Sequence, residues 1–558
     1  MRIKPEIRTA LDNLYARVHI NDFSSFIKSD FRDDMLFDLS EARAEKNYAL
    51  CQDLLNQIIA WRRQPDTTAE ELIILAVAED FCRYIMRNST YYWYKFNLTH
   101  NTCPLPYVFK RLETYPLLSP ADLDKYLMLL AQFPLALDSM LDKLRGQKQR
   151  GIMLPEEQTG ICLALLDSLI QLADSLLYPW NRREMGLRIS PAQRRGLQEL
   201  LPRINRTLAG MADYLRRDYY QGSRPGTPGL CHLPGGNDYY QELIVTYTSY
   251  RQAPEEIHAI GLRELAKTQG IMADIIRRLG LDLSIPAFQR YLTEKRICFD
   301  DSQGALQARF DRTLKMIRPR LNGYFLRQPQ AGCRCQALPK SQEAATSWGY
   351  YSVPIGQEKE GVFYYSAAEL DKRSQIRTAA IVAHELLPGH HFQVNLLSED
   401  QTLPDIHREH FNTAFADGWA EYAADLANEM GVYDLYELYG RYVWDTVLCC
   451  RLVVDTGMNA LGWSIAEARD FMAQNTFLTE KEIFTESLRY SVDMPGQALA
   501  YKYGALKMHE QRQKAEQALG PAFDIKAYHE EVLRYGSIPL DILEQNIGAF
   551  IARNQQPV

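Results

Sequence analysis

Apolar residues three and four apart recur through most of this 558-residue chain, and that spacing commits it to helices more firmly than any other feature. It is plain in "ADLDKYLMLLAQFPLALDSMLDKLRGQ", "GICLALLDSLIQLADSLLYPW" and "PEEIHAIGLRELAKTQGIMADIIRRLG". A helix with one apolar face is stable only when a neighbour covers that face, so the first 290 residues are expected to be a stack of helices. Beyond Ser374 the pattern is again helical to the end.

Between about Lys295 and Ser366 the texture changes to short β-prone runs, "RICFD", "SWGYYSVPIG" and "GVFYYSAAEL", separated by glycine and proline. A small sheet is expected there, over residues 295–366. Glycine and proline also gather in "YYQGSRPGTPGLCHLPGGNDYY", Tyr219 to Tyr240, which reads as a long ordered loop. Chain length implies at least two packed regions. We divide them as 1–228, helical, and 229–558, which carries the sheet and the chemistry.

Lys and Arg number 63 against 70 Asp and Glu, a net charge of -7, so no broad basic surface exists and no nucleic-acid partner is expected. No apolar run suits a signal-peptide core or a membrane span, from which we expect a cytoplasmic protein with no membrane partner. The ten cysteines include "CRC" and "CC" but no C-x-x-C pair, and are expected to be reduced and mostly buried. Oligomeric state is not legible.

The chemistry concentrates in "HELLPGHH", His384 to His391, which holds three of the 11 histidines behind the apolar run "TAAIVA". In an H-E-x-x-H helix two histidines one turn apart grip a metal and the glutamate acts on its water. Here Pro388 occupies the second histidine's place. In an unbroken helix His390 would lie about 120° round from His384, and His391 roughly 10 Å along the axis. Pro388 cannot donate and clashes with the His384 carbonyl, so the helix must bulge or break, and Gly389 lets His390 swing into the ligand position. Glu385 is then the general base.

A catalytic zinc takes three protein ligands. Downstream, "FNTAFADGWAEYAADLANEMG" places Asp417, Glu421 and Asp425 at intervals of four on one helix face. One of these should complete a site for one Zn2+ per chain. His407 and His410, in "DIHREHF", are expected at the surface.

These residues resemble the domain of unknown function 885 family, whose hallmark is H-E-x-x-P-G-H-H. The likeness extends over "LPGGNDYYQELI", "PEEIHAIGL", "DGWAEYAADLANEMG", "RLVVDTGMNALGW", "RYSVDMPGQALAYKYG" and "HEEVLRYGSIPL", nearly continuous from Gly229 onward. It implies kinship with thimet oligopeptidase and angiotensin-converting enzyme, and with the H-E-L-L-G-H motif of dipeptidyl peptidase III. By that comparison His390 is the second ligand, and His391 contacts substrate or supports the ligands. The family's E-G-W-A aligns its glutamate with Asp417, and its usual histidine with Asn459. Aspartate is one methylene shorter, which leaves Glu421 as the competing ligand.

Amide cleavage also needs a donor for the developing oxyanion. "RYSVDMPGQALAY" offers Arg489, Tyr490, Gln497 and Tyr501, with Tyr490 the first choice, and Tyr350 and Tyr351 lie in a run that could offer a strand edge to a peptide. The expectation is a mainly α, two-lobed zinc hydrolase of the thimet-oligopeptidase-like kind, with a small sheet before the metal helix, cleaving a short peptide. The alternatives are an enzyme of specialised metabolism acting on a non-peptide small molecule and a catalytically silent binding protein.

Overall fold

The computed structural model describes residues 3–19, 38–99, 101–178, 189–220, 228–340, 349–354 and 359–555. The protein is mainly helical, with one small sheet. Helices Pro5–His19, Glu41–Arg62 and Ala69–Thr90 bury Ile7, Leu11, Leu54, Ile58 and Leu75 in one apolar cluster that Ile406 joins from far along the chain. Helices Leu105–Glu113, Pro120–Gln149, Glu156–Leu177 and Pro191–Tyr214 build a second cluster, closed by Val492. Their starts are written locally: Ser119 accepts from the Asp122 amide, Asp122 returns the bond, and Pro120 occupies the first turn, where its missing donor costs nothing.

The largest cluster runs from Leu230 to Phe550 and takes in Val77. Its helices Thr413–Glu429 and Leu499–Leu519 cross at two glycines. A Cβ on Gly418 would stand 2.6 Å from the Gly504 carbonyl carbon, and one on Gly504 would stand 2.1 Å from the Ala414 oxygen. This close approach turns the acidic face of Thr413–Glu429 inward. Asp417 and Glu421 are buried, so the face is not a solvated one.

The sheet has the order β1-β3-β2. β1 (Gly332–Ala337) runs parallel to β3 (Glu360–Tyr365), with Cys333 opposite Gly361. β2 (Gly349–Ser352) runs antiparallel to β3, with Tyr351 opposite Phe363. Two expectations are corrected here. "RICFD" is a turn with Arg296 and Cys298 at positive φ, and the helix Gln303–Ile317 follows it inside the stretch expected to be sheet. The first strand is instead "GCRCQA", whose alternation buries both cysteines.

The expected loop from Tyr219 to Tyr240 is shorter at its far end, because the helix Gly236–Thr248 already includes "GNDYY"; residues 221–227 lie outside those described. Within "SWGYYSVPIG", residues 347–348 and 355–356 also lie outside them. All ten cysteines are free thiols, eight of them buried. Among the described residues no helix is long and apolar enough to cross a membrane.

Candidate metal centre

The motif breaks rather than bulges. One helix, Thr378–Glu385, ends on the glutamate, and another, His390–Glu399, starts on the second histidine. Between them the Leu386 and Leu387 amides both bond the Val382 carbonyl, and Phe392 N reaches back to Leu386 O at 3.2 Å. The Leu387–Pro388 bond is cis. The Pro388 carbonyl accepts from Trp419 Nε1 at 2.9 Å, which ties the break to the carboxylate helix. Gly389 lies so close to the first helix that a Cβ would stand 1.8 Å from the His384 oxygen. The reversal brings the two imidazoles edge to face with ring centres 4.8 Å apart.

Asp417 meets them. One donor atom from each of His384, His390 and Asp417 lies within 4.8 Å of the other two, and His390 Nε2 is 3.3 Å from Asp417 Oδ1. Two ligands of a tetrahedral zinc at ~2.0–2.1 Å stand roughly 3.4 Å apart, so this pair already has the spacing of a shared metal edge. His390 Nδ1 is buried with no hydrogen-bond partner. Two imidazoles and a carboxylate are a donor set suited to zinc, and the residues present fit such an ion.

Glu421 stands behind this group, fully buried, with Oε1 3.2 Å from His384 Nδ1. Trp444 Nε1 donates to the same oxygen at 2.9 Å, and Arg441 Nη2 lies 3.1 Å from the other. Burial opposes the Glu421 charge, but Arg441, then His384, outweigh it and hold the carboxyl at about 2. Burial likewise opposes a charge on His384, and Glu421, aided by Glu385 and Asp417, lifts the ring to about 9. Asp425, the third acid of the face, pairs with Arg441 at 2.9 Å and His509 at 2.8 Å.

His384, Glu385, His390, Asp417 and Glu421 line a cavity of about 470 Å3 with Arg377, Arg441, Trp444, Arg451, Glu486, Arg489 and Tyr501. Of the oxyanion candidates, Tyr501 and Arg489 line it, whereas Gln497 does not and instead accepts from Arg489. Tyr490 is 0% exposed, stands outside the lining, and accepts from Arg451 Nε at 2.8 Å. Asn459 is also outside: its Oδ1 accepts from Leu230 N at 3.0 Å and its Nδ2 donates to Tyr490 O at 2.8 Å, joining three segments.

His391 turns away from the cavity. It is 1% exposed, with Nδ1 2.9 Å from Tyr351 OH and Nε2 3.1 Å from Ala331 O, so it and Tyr351 fasten the sheet to the motif. Tyr350 is 46% exposed and packs on Tyr364 rather than lining the cavity. His407, expected at the surface, is buried between the carbonyls of Ile74 and Tyr535, and His410 Nε2 lies 3.4 Å from Asp80.

Sequence reasoning missed Arg377, Arg441, Trp444, Arg451 and Glu486. A signal was present: Arg441, Asp445, Arg451, Asp455 and Asn459 recur along Leu435–Asn459, an otherwise apolar helix whose charged groups must find partners inside the protein.

Two solved structures share this fold nearly end to end. One, from Colwellia psychrerythraea and provisionally described as a lipoprotein, is 20% identical with a TM-score of 0.85, the match covering 98% of this chain and 99% of that one. The other, from Shewanella oneidensis and provisionally described as a lipoprotein of unknown function, is 17% identical with a TM-score of 0.72 and the same coverage of 98% and 99%. No curated protein matches the chain. The DUF885 family, described as bacterial protein of unknown function, matches residues 24–547, and the chain therefore belongs to it.

Proposed function

We propose that the protein is a zinc-dependent hydrolase, of the thimet-oligopeptidase-like kind, that cleaves an amide bond of a short peptide. The observation that carries this is the convergence of His384, His390 and Asp417 beside Glu385 in one cavity. His384, through the nitrogen not facing Glu421, His390 and Asp417 would hold the ion. Bound there, zinc would supply Lewis-acid polarisation of a carbonyl and make a water more acidic.

The remaining work belongs to the chain's own side chains. Glu385, at the end of its helix and on the cavity lining, accepts a proton from the attacking water and passes it to the leaving nitrogen. Glu421 fixes the His384 ring, and Arg441 with Trp444 fixes Glu421. Tyr501 accepts at its hydroxyl oxygen from Arg489 at 3.3 Å and from Gln497 at 3.3 Å. Its own proton is thus free to be donated toward the oxyanion.

The two departures from the family pattern do not favour a non-peptide substrate: Asp417 is in reach of both histidines, and Asn459 lies outside the cavity. Elemental analysis of purified, zinc-equilibrated protein should find about one zinc per chain in wild type and in Glu385→Gln. Turnover of a short-peptide library should fall roughly 10^2- to 10^4-fold in the variant. Protein that holds no zinc, or a variant with full activity, would sink the reading; zinc without turnover of any peptide would favour an enzyme acting on a non-peptide small molecule.

A further inference from the structure

Arg451 and Glu486, on the cavity wall, have no task in amide hydrolysis itself. Arg451 Nη2 and Nε lie 2.9 and 3.2 Å from Glu486 Oε2, and Arg489 Nη1 lies 3.6 Å from Oε1 of the same carboxylate. Two guanidiniums thus share one acid. Arg451 is buried, it lines the cavity, and its Nη1 has no hydrogen-bond partner. A buried charged donor left without a partner keeps its desolvation cost uncompensated, so the position calls for an acceptor.

The neighbours cannot supply one. The Arg451 guanidinium stands over the rings of Trp444 and Tyr501 at 5.0 and 4.7 Å. Arg441 is committed to Glu421 and Asp425, and Arg377 brings a further positive charge over the Trp444 ring at 5.2 Å. Burial, followed by the like charges of Arg373 and Arg451 acting against Glu482, leaves the Arg377 guanidinium at about 10, below its ordinary value. Trp444 also fixes the location, since its indole N–H is bonded to Glu421, which touches His384. The basic group therefore sits one indole away from the candidate zinc ligands.

We propose that Arg451 and Arg489 form a carboxylate subsite, so that the preferred substrate carries a free carboxylate near the amide that is cleaved. The guanidinium fork suits a planar two-oxygen anion, and Arg451 Nη1 is the donor that such an anion satisfies. A cavity of about 470 Å3 has room for a substrate of two or three residues. The carboxylate is the C-terminus of a short peptide or an acidic side chain. The link to a cleaved amide rests on the hydrolytic reading above; the subsite itself does not.

The test is equilibrium calorimetry on zinc-equilibrated Glu385→Gln protein, which binds without turnover. A panel of alanyl dipeptides is titrated as free acids and as C-terminal amides, and Ala-Glu amide against Ala-Gln amide. The expected result is about tenfold tighter binding of the carboxylate form in one of the two arms, which also names its source. Adding Arg489→Gln should reduce the ratio below about threefold with unchanged circular dichroism and zinc content; Arg451→Lys should do the same. Equal affinities in both arms, no measurable binding of any carboxylate form, or a preference that survives both variants would overturn the proposal. If the protein holds no zinc the hydrolytic reading falls, while the acid-to-amide ratio is read equally well without metal.

Discussion

Asp417 and Glu421 lie one helical turn apart, yet their surroundings assign them different parts. Asp417 faces His390 at 3.3 Å, whereas Glu421 is held from three sides by His384, Trp444 and Arg441. In the proposed zinc site a carboxylate clamped in this way would orient a histidine ligand rather than bind the ion itself. Asp417→Ala should therefore abolish zinc retention in a chelator competition, while Glu421→Gln should keep zinc with affinity lowered roughly 10- to 100-fold. Equal retention by the two variants would break the assignment. The spacing in "DGWAEYAAD" placed both acids on one face but could not choose between them, because the choice depends on how the helix docks, and Gly418 against Gly504 sets that. His391 was harder still. Adjacent to the candidate ligand His390 on the same helix, it points about 100° away and meets the sheet instead.

At the scale of elements, the break between Glu385 and His390 is the feature on which the site depends. Proline explains why the first helix stops; glycine explains how near the second can start. The φ of Gly389 is -80°, so the case for glycine there rests on the space a Cβ would need and not on a left-handed φ. Gly389→Ala would drive a Cβ to 1.8 Å from the His384 oxygen and 2.5 Å from the Ala383 oxygen. We expect a loss of about 3 kcal/mol in urea unfolding, the upper range for overpacking, together with loss of bound zinc. Gly270→Ala, in a helix with nothing within 4 Å, should be neutral or stabilising by up to ~1 kcal/mol. Similar losses from both would remove the steric argument. Helices and this break were legible because their causes are local. The first strand was not: "GCRCQA" becomes β1 only by pairing in parallel with Glu360–Tyr365, a partner that local propensity does not reveal.

The cavity is assembled from Asn101, Gly349 and Phe363 of the sheet, the 377–390 stretch, the Asp417–Arg451 span and the Glu486–Tyr501 segment, so its basic wall is spread over segments that no single motif joins. The same long-range packing buries histidines that looked like loop residues. His407 is the clearest case. Its Nε2 lies 3.0 Å from Ile74 O and its Nδ1 3.4 Å from Tyr535 O, two carbonyls of which a neutral ring can donate to only one. Burial nonetheless prevails over both carbonyls, with His410 adding to it, and pulls the ring down to about 4. A histidine whose folded value is depressed contributes stability that is complete above about 6.5 and is lost as pH falls toward its folded value. Between pH 7.5 and 5 the loss from His407 is on the order of 2 kcal/mol. Asp455 and Asp493, which burial raises to about 7, act in the opposite direction over that window, so the wild-type curve alone does not isolate the histidine. The measurement that does is the stability gap between wild type and His407→Gln in urea, read at both pH values. The gap should narrow by about 2 kcal/mol at pH 5, because only the wild type's unfolded chain then takes up a proton that the buried ring cannot accept. A gap that stays constant would mean that His407 takes up its proton in the folded protein as readily as in the unfolded chain.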